Sequence, residues 1–438
     1  MCGIQINKTW LDNKVSHRGD FHFKQEIGQW KVHFSSLPLS SHDKGLTQPI
    51  LLDNGDYLVF NGEIFNYKDF GDYKSDLHYL KDLFKKGFSN KKFKKEYYKW
   101  DGFWAICYIK QESIIFFTDP LGKKQLYCNK LGIASEIKPL INADTEIQTI
   151  KIDKTPDTNF SNIKRAMPGQ FYVYHFEMDQ ANNYVYGNKN YLGDTMKHSD
   201  IYELLDKSIQ LRSKTSYGKL GLLYSGGLDS SIVAHHLVKN NIPFTALSIN
   251  NKETLEAKRI AKQIGFEIKF INDEISDEEV KQAVLAYEGD LDYGSLIPQY
   301  LLFKEARRLG LYTILTGDGA DELFSGYGRA LSSDTQHYDV FTELPFYHHL
   351  RIDRLSMMHT VEARNPFLNS NIVNYALNLD YTLRRNKRVL RDTYRQHFDT
   401  SMSKKPLRYK QNKNFNLKNT KKIFTQTFNR YLKNKEYE

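Results

Sequence analysis

Two kinds of hydrophobic pattern divide the chain. In its first part, short runs alternating apolar and polar positions recur at Trp30–Leu37, Tyr57–Asn61, Phe103–Ile109, Ile114–Thr118 and Phe171–Phe176. Such alternation predicts half-buried β-strands. Between them, Asp76–Lys86 sets Leu77, Leu80, Leu83 and Phe84 at helical spacing. An α+β sandwich, two sheets between helices, suits this pattern. Further on, apolar strand runs alternate with helical stretches: Leu220–Tyr224, a helix from Asp229, Phe244–Ile249, a helix over Leu255–Ile264 and Glu267–Ile271. Helices over Glu278–Tyr287 and Leu296–Leu309 follow, then Tyr312–Leu315. That order predicts an α/β domain with a doubly wound parallel sheet, and ligands at the carboxyl ends of its strands. A polar, aperiodic stretch over residues 178–196 marks the boundary, so the expected domains are 1–185 and 195–438.

Composition adjusts this picture little. A chain of 438 residues is expected to form two domains, and its 40% hydrophobic share suffices for real cores. The aromatic share of 14%, mostly Tyr and Phe beside many Lys and Asn, reads partly as coding bias. The net charge of +10 permits contact with anions such as ATP or nucleic acid. Its local runs, Lys91–Lys95 and the basic tail, read as solvated surface, so a nucleic-acid partner is not the expectation. Three cysteines without a CxxC pair indicate neither a disulfide framework nor a zinc site. Cys107 and Cys128 lie in strand-like runs and read as small buried hydrophobes. No apolar run approaches a membrane span and no signal peptide precedes Cys2, so a soluble, reducing, cytoplasmic location is expected, with no membrane partner.

The candidate chemistry centres on Leu222-Leu223-Tyr224-Ser225-Gly226-Gly227-Leu228-Asp229-Ser230-Ser231. An apolar strand ends in a tight turn and a helix begins. Two glycines let backbone N–H groups approach an anion, and the helix N-terminus points its partial positive charge at the same spot. Ser225, Ser230 and Ser231 can donate to phosphate oxygens, and Asp229 can hold Mg²⁺. An ordinary capped turn needs one such residue, whereas this one carries a row of them. The lysine of the GxxxxGK[ST] phosphate loop is absent. A second cluster, Thr316-Gly317-Asp318-Gly319-Ala320-Asp321-Glu322, puts three carboxylates at a strand end between glycines. The plain reading is an acidic helix start; the richer one is that Asp229 and Asp321 together hold Mg²⁺ on the α- and β-phosphates of ATP. At the other end of the chain, removal of Met1 would leave Cys2 with a thiol and a free α-amine, which can serve as its base.

These motifs carry a family resemblance. Ser225–Ser231 resembles the SGGxDSS loop of the ATP pyrophosphatases. Cys2-Gly3-Ile4, His17-Arg18-Gly19-Asp20, Asn61-Gly62-Glu63 and Ser75-Asp76 resemble, in order, the class II glutamine amidotransferases, whose domain is an N-terminal-nucleophile (Ntn) hydrolase. Asp119-Pro120-Leu121-Gly122, Ala134-Ser135-Glu136-Ile137-Lys138 and Met167-Pro168-Gly169 extend that likeness. Gly317–Tyr327 resembles SGEGxDExFGGY, Val361–Leu368 resembles VEARVPFL, and Lys387–Arg391 resembles KxxLR of the glutamine-hydrolysing asparagine synthetases. Ser403-Lys404-Lys405-Pro406 resembles a late lysine element of the same family.

The resemblance implies an Ntn sandwich followed by an ATP pyrophosphatase domain. It implies a ligase that activates a carboxylate, aspartate above all, as its acyl-adenylate and amidates it with ammonia from glutamine. Cys2 would attack the glutamine amide, with the Asn61 side chain and Gly62 N–H as oxyanion hole. Asn61, Glu63 and Asp76 would hold glutamine, Asp76 taking the α-ammonium. Leu223, Ser225, Gly226, Gly227, Asp229, Ser230, Ser231, Ser248, Gly317 and Asp318 would bind ATP. Asp229 and Asp321 would bind Mg²⁺, and Asp318, Lys404 and Lys405 would act in catalysis. Ligands would be glutamine, ATP and a carboxylic acid; a homodimer stays open. Three departures stand out. No arginine follows His33 where the family clamps the glutamine carboxylate, with Arg18 as an open substitute. Asp318 stands where Glu is common, and Asn369 replaces an Asp. Hence a different acceptor acid with a weak or inactive glutaminase, a non-catalytic nucleotide-binding regulator, and an RNA-modifying ATP pyrophosphatase remain alternatives.

Overall fold

A computed structural model describes residues 2–39, 47–89, 93, 96–150, 155–176, 181–184, 200–215, 217–250, 254–272, 274–327, 332–402 and 419–435. The chain divides into two compact units. The first comprises Met1–Asn190, Pro345–Asp353 and Thr425–Glu438; the second comprises Tyr191–Leu344 and Arg354–Phe424. The first division of the chain falls between Asn190 and Tyr191. The two later returns to the first unit were not foreseen, because they depend on side chains distant in sequence. Phe428 meets Phe160 edge-on at 5.1 Å, and Asp353 pairs with Arg18.

The first unit contains β1 (Cys2–Asn7), β2 (Phe21–Ile27), β3 (Trp30–Ser36), β4 (Ile50–Leu51), β5 (Tyr57–Ile64) and β6 (Gly102–Ile109). It continues with β7 (Ser113–Thr118), β8 (Tyr127–Asn129), β9 (Gly132–Ala134), β10 (Lys164–Arg165), β11 (Phe171–His175) and β12 (Ala181–Tyr184). They form two six-stranded antiparallel sheets, ordered β10-β8-β9-β1-β3-β2 and β12-β11-β7-β6-β5-β4. Alternation along β6 explains the layering. Ala105, Cys107 and Ile109 join Ile4, Ile6, Trp30 and Val32 in a core shared by both sheets. Trp104, Ile106 and Tyr108 face the other way, onto Leu77, Leu80 and Leu83 of the helix Asp76–Phe84. β1 escaped the pattern reading because it is buried on both faces, polar residues included. Its Gln5 Nε2 donates to Asn7 Oδ1 at 3.0 Å and to the Asp12 carbonyl at 2.9 Å, so these buried amides keep their hydrogen bonds.

The second unit carries a five-stranded sheet of β13 (Lys219–Leu223), β14 (Thr245–Ile249), β15 (Ile268–Ile271), β16 (Leu311–Leu315) and β17 (Glu362–Arg364). All pairings are parallel, in the order β15-β14-β13-β16-β17. From β13 the chain winds out to β15, then returns to β16 on the other side. The strand order therefore reverses between β13 and β16, the crevice where doubly wound sheets bind ligands. Helices Leu228–Lys239, Thr254–Ile264, Asp277–Tyr287 and Tyr293–Arg308 connect the strands, each within a few residues of its predicted span. Among the described residues no helix is long and apolar enough to cross a membrane.

Candidate functional site

β13 runs into Tyr224-Ser225-Gly226-Gly227 and then the helix Leu228–Lys239. Gly226 sits at φ +75°, and a Cβ there would lie 2.8 Å from the Cα of Ala257, so only glycine fits this turn. Two serines knit the loop: the Ser230 hydroxyl accepts from Ser225 N at 3.2 Å, and the Ser225 hydroxyl accepts from Gly227 N at 3.2 Å. Gly227 caps the helix without a side-chain bond, and the first-turn N–H groups of a helix are where anions can bind. Ser231 turns inward instead. It is fully buried, with its hydroxyl 3.2 Å from that of Tyr224.

From the next strand, β16, the chain continues as Thr316-Gly317-Asp318-Gly319 into the short helix Ala320–Leu323. Gly317 packs directly on the first loop, since a Cβ there would lie 2.7 Å from that of Asp229. The two loops thus bring Asp229 and Asp321 to one place. Lys387 Nζ lies 2.7 and 2.6 Å from the two Asp229 carboxylate oxygens and 2.6 Å from Asp321 Oδ1. Burial by itself would lower the lysine's affinity for its proton; the two aspartates outweigh this and hold its pKa above the ordinary value. Backbone bonds from Asn386 N to the Ser325 carbonyl and Lys387 N to the Phe324 carbonyl fix the approach. A Cβ on Gly326 would meet Asp321 Oδ1 at 2.0 Å and Lys387 Cε at 2.3 Å, so glycine makes room for the pair.

Other predicted residues line the same end of the sheet. Asp318 is half-buried in the second loop, Ser248 lies buried near the end of β14, and Leu223 closes β13. Glu362 and Arg364 form a buried ion pair, and Arg364 also donates to the Arg212 carbonyl at 3.0 Å. Asn369 caps the helix Ser370–Asn378, its side-chain oxygen accepting from Asn371 N at 2.9 Å. Arg391 staples the turn to the following segment, donating to the carbonyls of Asn386 at 3.1 Å and Met402 at 3.1 Å. Lys404 and Lys405 lie outside the described residues.

A second constellation surrounds Cys2 in the first unit. Cys2 opens β1, opposite Ser36 of β3, with Sγ 3.9 Å from the Ser36 hydroxyl. Its backbone N donates to Asn61 Oδ1 at 2.9 Å. Asn61 lies buried on β5 beside Gly62, and its Nδ2 has no hydrogen-bond partner among the described residues. A buried, unspent donor beside a thiol is what an oxyanion needs. Burial pushes the thiol pKa up, while the amino terminus and Ser36 pull it down. Half-buried Glu63 follows on the same strand. Asp76 begins its helix with Oδ2 accepting from Ile64 N at 2.9 Å. Arg18 is no carboxylate clamp. It is buried, with Nε on the Cys2 carbonyl at 3.2 Å, Nη1 on Glu136 at 2.9 Å and Nη2 on Asp353 at 2.8 Å.

The profile of the Asparagine synthase family matches residues 200–338 and 328–435, more than half of the chain. The chain belongs to the asparagine synthase family. A putative glutamine-hydrolyzing asparagine synthetase of Methanocaldococcus jannaschii is 27% identical over 96% of this chain and 84% of its own length. The glutamine-hydrolyzing asparagine synthetase of Homo sapiens is 26% identical, covering 87% of this chain and 77% of its own. Among solved structures, a glutamine phosphoribosylpyrophosphate amidotransferase from B. subtilis complexed with ADP and GMP shares 12% identity, with TM-score 0.33, over 72% of this chain and 81% of its own. The asparagine synthase family is a family of enzymes. Lys387 is the central residue that sequence reading left without a role. The KxxLR likeness pointed to its stretch, but nothing local shows that its ammonium joins two aspartates far away in sequence.

Proposed function

We propose that this enzyme activates a carboxylic acid, aspartate in the first instance, as its acyl-adenylate and amidates it with ammonia taken from glutamine. The observation that carries the reading is the convergence of Asp229 and Asp321 on one cationic centre beside a glycine-lined helix start. In the reading, Ser225 and Ser230 hydroxyls and the first-turn N–H groups of Leu228–Lys239 receive the β-phosphate side of ATP. The Lys387 ammonium sits where charge builds on the departing pyrophosphate. The paired carboxylates are hard oxygen donors already gathered around a cation, so they fit Mg²⁺. Bound there, Mg²⁺ would neutralise phosphate charge and ease pyrophosphate departure. Asp318 and the late lysines Lys404 and Lys405 would complete the adenylation site.

At the other centre, Cys2 freed of Met1 would attack the glutamine amide. Asn61 Oδ1 would hold its α-amine, and Asn61 Nδ2 with the Gly62 N–H would receive the oxyanion. Asp76 and Glu63 would meet the polar end of glutamine. Arg18 is committed elsewhere, and Ser36 lies opposite the nucleophile. That favours weak glutamine recognition, and so a second reading in which free ammonia is the better donor.

Mass spectrometry of products from ATP, Mg²⁺, glutamine or ammonium, and a panel of carboxylic acids tests both. AMP, pyrophosphate and asparagine are expected, with Cys2→Ala losing only the glutamine-dependent reaction. An amide of another acid would move the acceptor. Failure of every acid to yield AMP would remove the proposal.

A further inference from the structure

A chain of buried charges behind Cys2 has no part in the proposed chemistry as stated so far. Arg18, Lys124, Glu136 and Asp353 are each no more than 3% exposed. One Asp353 oxygen takes Arg18 Nη2 at 2.8 Å, and the other takes the Lys124 ammonium. Glu136 receives Arg18 Nη1 at 2.9 Å, His17 Nε2 at 2.8 Å and Lys138 Nζ at 2.9 Å. Burial alone would raise the Asp353 carboxyl, but the two cations hold it well below the usual range.

The donors are rigidly carried. Asp119 accepts the N–H groups of Leu121, Lys123 and Lys124 at 3.1, 3.0 and 2.9 Å, which fixes the turn bearing Lys124. Asp353 comes from far along the chain, in the segment Pro345–Asp353 that belongs to the first unit. That segment is seated by Gln125 Nε2 on the Pro345 carbonyl at 3.1 Å and by His349 Nδ1 on the Leu121 carbonyl at 2.8 Å.

The network ends on the nucleophile. Arg18 Nε donates to the Cys2 carbonyl oxygen at 3.2 Å, while Asn61 holds Cys2 N. With Met1 removed, Cys2 would lack the preceding peptide that otherwise fixes a residue's orientation. Its aim then rests on what grips its own N and O. The guanidinium is planar, so two carboxylates on its fork set the plane from which Nε points, and one carboxylate leaves it free to pivot. We propose that Asp353 is a positioning residue for Cys2, acting through the Arg18 fork to set the line of attack of the thiol. This rests on the reading of Cys2 as the amidase nucleophile.

The test compares Asp353→Asn with Lys124→Met, which removes the other partner of Asp353 but keeps the Arg18 contact. Glutamine hydrolysis, ammonium-dependent AMP formation and Tm are measured on the full chain. Misplacement of the thiol by a fraction of an ångström to an ångström predicts that Asp353→Asn loses on the order of 10- to 100-fold in kcat, with KM and the ammonium reaction within about twofold. Lys124→Met is expected to lose less than about threefold in kcat whatever its Tm, because the fork stays gripped. Should Asp353→Asn be insoluble, Arg18→Lys, which keeps the charge but not the fork, is read by the same kcat-against-KM split. A kcat for Asp353→Asn within twofold of wild type, or equal kcat losses in the two variants tracking Tm, overturns the proposal. If wild type fails to hydrolyse glutamine, or Cys2→Ala still does, the underlying reading of Cys2 falls instead, before any Asp353 variant is compared.

Discussion

Replacing Lys387 by Met removes the ammonium that Asp229 and Asp321 share and leaves a chain of similar length. The lysine side chain is 5% exposed, and the two aspartates are 20% and 19% exposed. Breaking a fully buried pair by deleting one partner costs about 3–5 kcal/mol. Because the carboxylates keep a fifth of their exposure, the lower end applies, about 3 kcal/mol. In a unit of this size each kcal/mol moves Tm by about 2–4 °C, so the variant is expected to melt about 6–12 °C below wild type in EDTA. Mg²⁺ should narrow that gap. A divalent ion gathered by the same two carboxylates stabilises by about 2.7 kcal/mol at a hundred times its Kd. In wild type the ammonium competes for the same oxygens, so the rescue is smaller there. Differential scanning calorimetry in EDTA and in millimolar Mg²⁺ reads both effects. Equal Tm values in EDTA, or equal Mg²⁺ shifts in the two proteins, would refute the claim that these aspartates form one cation site.

Two further outcomes follow from the second unit. His236 is fully buried, its Nδ1 2.7 Å from Asp206 and its Nε2 2.6 Å from the Tyr394 hydroxyl, and burial holds its pKa down to about 4. A histidine kept neutral in the fold binds its proton more readily once unfolded, so stability is full above its ordinary pKa and drains as pH falls toward 4. Between pH 7 and pH 5 the loss is about 2 kcal/mol from this group alone, and urea titrations of His236→Gln should show a flatter dependence. Asn369→Asp should change neither stability by more than about 0.5 kcal/mol nor acceptor preference, because both residues cap the helix Ser370–Asn378 equally well. A shift in acid preference would show that position 369 reads the acceptor.

Local order made much of this protein legible from its residues alone. The turn at Ser225–Gly227 is a strand end, a glycine pair and a helix start in one short stretch, so its conformation is set by neighbours in sequence. The parallel sheet follows from alternating strands and helices, and Asp229 and Asp321 could be placed at strand ends because each strand lies just before its aspartate. The double-faced burial of β1 hid that strand, since alternation is a signal only where one face meets water. Asn369 looked like a departure at a substrate position, yet its side chain serves the helix that follows it. What the tertiary structure alone decided is where long side chains end. Arg18 was an open substitute for a carboxylate clamp until Glu136 and Asp353 were seen to hold its fork. Lys387 lies more than sixty residues from either aspartate it joins. An ammonium or guanidinium reaches several ångströms from its backbone and takes whichever carboxylates the fold brings near. Partnership among buried charges is therefore a property of the packed chain, while turns, caps and periodicities belong to the sequence.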